Sequence, residues 1–341
     1  MVTLVTPTPS RFPVIQPELL QRPSVLETID TDKIIDDRML RFKLRWAEED
    51  PPNAAQYDIA QLEFDPIKIL TENAAYFELM LRDRVNQAAR AVMLAFSFGT
   101  NLDGIASRYP GGVPRQPGES DDNYRRRIWL SPNILGPHGT TESYAFYALS
   151  ALGANVLRDA AAFTTRGTGI VTIPILVNIP TLALSEQQVL FIVQKQIKTG
   201  LIDPLKVSFE INPGPPPIPT NDQILEVYKY IIADTRKGLT DEIVIARPKV
   251  YQTRYDISLK TFPGYDLAGV LTNVVTGLMQ LVEKQRWLGY DHTIMNIDGV
   301  LTDAGGVYNR VIKQPQGDVV VGQDSVVWVT HIDITWTGVG E

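Results

Sequence analysis

The chain has 341 residues, no cysteine, a formal net charge of −7 and a pI near 5.2. That length fits about two or three domains. The missing cysteines exclude disulfides, thiolate zinc sites and cysteine nucleophiles, and the mild acidity argues against a nucleic-acid binder, whose domains are usually basic.

The first 23 residues carry Pro7, Pro9, Pro13, Pro17 and Pro23. Proline fixes φ and lacks an N–H, so this segment reads as an extended arm. It is either a loose tail or an arm that orders against a neighbour through Phe12, Val14, Ile15 and Leu19. It has no charged n-region and no apolar run before its prolines, so no signal peptide is expected. Nor does any stretch of the chain reach the ~18 apolar residues of a membrane span. Residues 1–64 read as this arm plus short helices, with Glu48-Glu49-Asp50 on a solvated loop before Pro51-Pro52.

Asp65-Pro66 opens a long helix, with Asp65 as cap and Pro66 at the first helical position. No Gly or Pro follows until Gly99, which suits a C-cap. The predicted helix has roughly 33 residues and a length of about 50 Å. One stripe runs Ile67, Leu70, Ala74, Phe77, Leu81, Val85, Ala88, Val92, Ala95 at helical spacing. A second apolar set, Leu79, Met80, Met93, Leu94, Phe96, Phe98, lies off it. Such a helix is either central to its domain or shared between chains. Leu79, Met80, Met93 and Phe96 are the candidate interface residues.

A short helix near Leu102–Ala106 and a Gly/Pro loop follow; Ser120 then starts a helix containing "YRRRIW", Tyr124–Trp129. Asp121 precedes Arg125 by four residues and Asp122 precedes Arg126, the favourable order for helical ion pairs. Arg125 is also placed to lie over Trp129. Arg127 has no such acid, so it is predicted to seek one across a protein interface. From Ile69 to Gln194 every cation is arginine, which suits planar pairing within interfaces better than a phosphate track. The triple arginine therefore reads as a charge-paired helix, not a nucleic-acid contact.

A helix near Thr141–Leu152 closes a helical core domain at 65–160. "GIVTIPILV" then alternates Val171, Ile173 and Ile175 as a strand, and Ser185–Gln188 forms a capping box. Two segments share one order: Gln, apolar helix, cation, Gly-Leu-x-Asp, apolar strand. Their Gly-Leu-x-Asp pieces are Gly200–Asp203 and Gly238–Asp241. They read as a duplicated helix–strand unit in an α/β domain at 161–246.

Residues 247–341 read as an α+β domain of βααββ type. Tyr255, Ile257 and Leu259 alternate in its first strand, and Leu267, Val270, Leu271, Val274, Leu278, Leu281 and Val282 stripe its first helix. The terminal "SVVWVTHIDITW" alternates only with a shift near Thr330, as a bulge would produce. At a sheet edge such a strand would pair with another chain, which marks Trp328 and Val329 as candidate dimer-contact residues. The fold class is thus α+β and multidomain: a mostly helical N-terminal part with one long helix, then two small α/β domains.

No reaction centre is legible. His138, His292 and His331 stand far apart, and no P-loop, nucleophile elbow or Gly-x-Gly-x-x-Gly occurs. "NIDGVLTDAGG" lacks the alternating acids of a calcium loop. No catalytic, cofactor-binding or metal residue is assigned, and no cofactor is expected.

The ordered set "YFELMLRDRVNQAARAVMLAFSFGTNLDGIASRY", "ESDDNYRRRI", "YAFYALSAL", "GIVTIPIL", "ADTRKGLTDEIVI", "YDISLKTFPG", "LGYDHTIMNIDGVL", "GVYNRVI" and "VVWVTHIDITW" resembles the baseplate J-like proteins of contractile-tailed phages and related injection systems. The resemblance spans about residues 65–336. The first helix–strand copy, some forty residues, is extra relative to the usual family pattern, and residues before 65 match only loosely. The resemblance implies a structural wedge subunit in the virion's tail baseplate, assembled in the bacterial cytoplasm. Two copies would join a different wedge protein in a heterotrimer, with long helices in a bundle and a homodimer contact in the C-terminal domain. Further implied partners are sheath-initiator-like and central hub or spike proteins, and indirectly the tail-fibre-bearing proteins. Neither nucleic acid nor membrane insertion is implied. The alternative reading is a tail-associated cell-wall-degrading enzyme.

Overall fold

The computed structural model describes residues 23–55, 65–109, 113–135, 139–153, 155–164, 167–178, 184–199, 205–212, 214–233 and 236–340. The Pro-rich segment before Pro23, the first Gly-Leu-x-Asp piece (Gly200–Asp203) and His138 lie outside the described residues. The chain divides at Pro114/Arg115 into an N-terminal unit and a main unit.

The N-terminal unit is helical. Helix α1 spans Thr31–Glu49 and is capped by Asp30, whose carboxylate accepts from the Asp32 and Lys33 amides. A short α2, Pro51–Ala54, follows. Helix α3, Pro66–Ala91, starts as the sequence predicts, with the Asp65 carboxylate accepting from the Ile67 amide at 2.7 Å. It ends eight residues before Gly99. After Val92 the Met93 amide bonds Arg90 O, and the Phe96 and Ser97 amides both bond Met93 O, so a turn replaces the helix. With 26 residues α3 is about 39 Å long, not 50 Å. Gly99, at φ 58°, begins the next helix, α4 (Thr100–Ala106), instead of ending α3. Glu48 and Glu49 are not on a loop; they form the last turn of α1 and both pair with Arg45 at 2.9 Å.

Helices α1 and α3 pack against each other. Glu78 holds Arg38 at 2.7 Å and Arg82 at 2.6 Å, and these hydrogen bonds draw its pKa down. Asn86 is buried and clamps the chain entering α1: it accepts from the Glu27 amide and donates to Glu27 O, each at 3.0 Å.

The main unit begins with helix α5 (Asp121–Leu130), capped by Ser120, a 3-10 turn at Ser131–Ile134, and α6 (Thr141–Ala151). Strands β1 (Leu157–Ala160) and β2 (Phe163–Thr164) run antiparallel to β3 (Ile170–Val177), and β5 (Glu242–Ala246) pairs with β3 in parallel. Helix α8 (Asn221–Ile231) packs on α6 and β5.

A second sheet has the order β4-β8-β6-β7, with β4 Leu205–Glu210, β6 Lys249–Thr261, β7 Val307–Gln314 and β8 Ser325–Val339. Its inner face carries Val207, Phe209, Tyr255, Ile257, Leu259, Val327, Val329, Ile332 and Ile334. Against it lie α7 (Glu186–Thr199), α9 (Leu267–Gln285) and α10 (Ile294–Asp303), which supply Val189, Val193, Leu271, Val274, Leu278, Ile297 and Leu301. The predicted bulge is present: Thr253 faces Val329, but Tyr255 faces Ile332, so β8 carries one extra residue there.

The two helix–strand copies both start with capping boxes, Ser185/Gln188 and Thr220/Gln223. They part company in the fold. The copy α8–β5 joins the first sheet in parallel, whereas α7–β4 joins the second sheet antiparallel to β8. Sheet membership therefore does not follow a boundary at 246/247, because β4 is built into the C-terminal sheet. It also corrects the expectation for the terminal strand: β8 lies between β4 and β6 and is not an edge.

Candidate assembly interface

A helix with an apolar face and no helix to cover it loses free energy to exposed apolar surface, of the order of 25 cal/mol per Å². Helix α3 has such a face. Only Ala75 and Asn86 along it are fully buried, while Ile69, Leu70, Tyr76, Phe77, Met80, Leu81 and Val85 are more than half exposed, with Leu81 at 69% and Phe77 at 59%. Leu40 and Leu44 of α1 are equally open. Of the predicted interface residues, Met80 is exposed at 51%, whereas Leu79, Met93 and Phe96 are half-buried. Met93 and Phe96 moreover sit in the turn after α3. The stripe Leu70–Phe77–Leu81–Val85–Val92, from which no interface residue was chosen in sequence, is the one that faces out. Periodicity identifies stripes but not which of two is covered.

The triple arginine is an internal brace. Arg127 reaches back to Glu119, eight residues earlier, in a buried two-pronged pair at 2.6 and 3.0 Å, and its guanidinium also lies over the Tyr124 ring. It does not need an acid from another chain. Arg125 pairs with Asp122 at i−3, 2.6 Å, and Asp121 pairs with Arg115 at 2.7 Å. Arg126 bonds Asp159, a fully buried carboxylate on β1 that also accepts from the Ala160 and Leu288 amides at 2.7 and 3.0 Å. Arg126 and Arg158 both lie over the Trp287 ring, at 5.2 and 4.8 Å, and Arg158 donates to the Glu283 and Arg286 carbonyls. This node ties α5 and β1 to the end of α9. Sequence spacing finds only partners on the same helix, which is why Glu119 and Asp159 were missed.

Trp328 is 2% exposed and Val329 is fully buried. Val329 packs in the core of the second sheet, and Trp328 carries the Arg286 guanidinium over its ring at 4.7 Å. Neither is available as an edge contact. Arg286, 1% exposed, donates to Asn212 at 2.9 Å, and burial lowers its pKa to about 10.

His292 is buried, with Nδ1 2.8 Å from the Tyr255 hydroxyl and Nε2 3.4 Å from Gln285 O. That arrangement assigns the neutral ring with its proton on Nε2. Burial lowers its pKa to about 4 and raises that of Tyr255 well above its usual value. Tyr144 donates to Asp241 at 2.5 Å and accepts from the Gly238 amide at 3.0 Å, fixing the Gly-Leu-x-Asp loop of the second copy. Asp298, in the stretch that superficially resembles a calcium loop, lies on α10 and is held by Arg310. Among the described residues no group of three or more His, Asp or Glu could hold a metal, and no helix is long and apolar enough to cross a membrane.

Residues 63–116, which contain α3 and α4, match the Baseplate J-like N-terminal domain. Over 343 aligned positions the chain is 24% identical to "Baseplate protein J" of Escherichia phage P2, covering 97% of this chain and 100% of that protein. Both comparisons are thus with baseplate J-like proteins, which this chain resembles. The matched segment contains α3 with its exposed apolar face. The α+β class, with its helical N-terminal part, agrees with the reading from sequence.

Proposed function

We propose that the chain is a structural subunit of a phage-tail baseplate, built into the wedges around the central hub and linking that hub to the sheath and the fibre-bearing parts. The observation that carries this is the exposed apolar face of α3, which an isolated soluble chain would not maintain at this size. The match of the same segment to the baseplate J-like N-terminal domain supports it. In this reading two copies join one copy of a different wedge protein, and α3 enters a shared helical bundle through Leu70, Phe77, Met80 and Leu81. A second contact between copies involves the C-terminal sheet. The subunit assembles in the host cytoplasm and ends in the virion. Sheath-initiator-like and hub or spike proteins are its neighbours, and fibre-bearing proteins are linked indirectly.

Phage production with Phe77→Asp plus Leu81→Asp tests it. Both side chains are exposed, so the purified chain should keep its circular dichroism and melting temperature, while tails assemble without complete baseplates. Normal particle yield from the double variant would overturn the proposal.

A further inference from the structure

We infer that two copies of this chain join edge to edge through strand β4, in antiparallel register centred on Ser208. This rests on the reading above that the C-terminal sheet contacts a second copy, and it names the edge.

Among the described residues the second sheet has two edge strands, β4 and β7. The Ile211 amide bonds Thr330 O next to β8. Alternation in an antiparallel ladder then directs the Leu205, Val207 and Phe209 backbone groups to β8 and those of Lys206, Ser208 and Glu210 to the open edge. An antiparallel twofold centred on Ser208 sets Lys206 opposite the second copy's Glu210, Ser208 opposite its counterpart, and Glu210 opposite Lys206. All three residues with edge-facing amides and carbonyls then exchange both groups. The same register puts an opposite-charge pair at each end, which favours cross-strand pairing. Lys206 and Glu210 are exposed on the outer face, while Val207 and Phe209 are already buried under the helices. An isologous contact needs a patch that is its own complement, and this one is.

Strand β7 fails the same test. Its sequence, VYNRVIKQ, has no acid: Arg310 is already held by Asp298 on α10, and a twofold there would give Lys313 no carboxylate in the strand to face. Charged edges without a complement are the usual guard against pairing. Strand β4 also belongs to the helix–strand copy that goes to this sheet rather than to its sister's.

The test uses the full-length chain in sedimentation velocity at tens of micromolar. Wild type should form dimers. Glu210→Lys leaves each copy with two bases on the edge and Lys206→Glu leaves two acids, so each variant alone should dimerise about tenfold more weakly or worse. Mixed in equal amounts, the two variants should form a heterodimer, since every facing pair is again opposite in charge. That recovery also shows both variants to be folded. A wild-type monomer would overturn the self-contact reading itself. Wild-type dimers unaffected by either variant would leave that reading standing and overturn the β4 assignment. So would variants whose loss is not recovered on mixing although their melting temperatures match wild type.

Discussion

Arg127 and Asp122 lie on the same helix, and they differ in what their loss would do. Arg127 makes its two-pronged bond to Glu119 inside the protein, where removing one partner leaves an uncompensated charge and typically costs about 3–5 kcal/mol. Arg125 pairs with Asp122, whose side chain is 82% exposed, and such a pair contributes about 0–1 kcal/mol. Arg127→Ala should therefore lower the denaturant midpoint far more than Asp122→Ala does. Equal shifts in a urea titration would contradict the buried pairing. His292 gives a pH signature. Its folded pKa, about 4, lies below the ordinary value of 6.5, so the unfolded chain takes up the proton first as pH falls. Its contribution is complete above pH 6.5 and is lost progressively towards pH 4, amounting to about 3 kcal/mol. His292→Gln should flatten the stability profile over that window; a slope that persists unchanged would assign the effect to other groups.

At the level of elements, α3 combines a face that holds the helical unit together with one that does not. Asn86 bridges to Glu27 from a buried position, so Asn86→Leu strands two backbone groups and should cost about 1–3 kcal/mol. Phe77→Asp on the opposite side should leave melting unchanged and act on assembly alone. Differential scanning calorimetry separates the two. The loop of the second repeat copy is equally specific. A Cβ on Gly238 would lie 2.5 Å from the Asp241 carboxylate, beneath the Tyr144 hydroxyl. Gly238→Ala should cost about 1–3 kcal/mol through overpacking, and thermal melting checks it. The Gly-Leu-x-Asp similarity was visible in sequence; the reason for its glycine, a tyrosine 94 residues away, was not.

For the whole molecule, the exchange of helix–strand copies between sheets decides which fragments can stand alone. A fragment of residues 247–341 would lack β4 and α7, removing Val189, Val193, Val207 and Phe209 from the core and opening one side of β8. It should aggregate or stay partly unfolded, whereas residues 184–341 should give a cooperative melt; circular dichroism and sedimentation of the two fragments decide it.

The sequence by itself determined what depends on near neighbours. The Asp65-Pro66 start of α3, the caps at Ser120 and Ser185, the alternation through Tyr255, Ile257 and Leu259, and the Thr330 bulge were all legible. Only short helices were expected before residue 65, and the length of α1 was missed, although Asp30 caps it, because its buried face is narrow: only Ile34 is fully covered. Tertiary structure alone decided three matters. It stopped α3 at Ala91 within a run free of Gly and Pro, chose which apolar stripe to leave open, and placed β4 beside β8 so that Trp328 and Val329 became core. Caps and alternation are enforced by bonds and sterics a few residues apart, which spacing encodes. The face that gets covered and the strand that pairs depend on which distant surface arrives there, and one chain's local pattern is compatible with several answers.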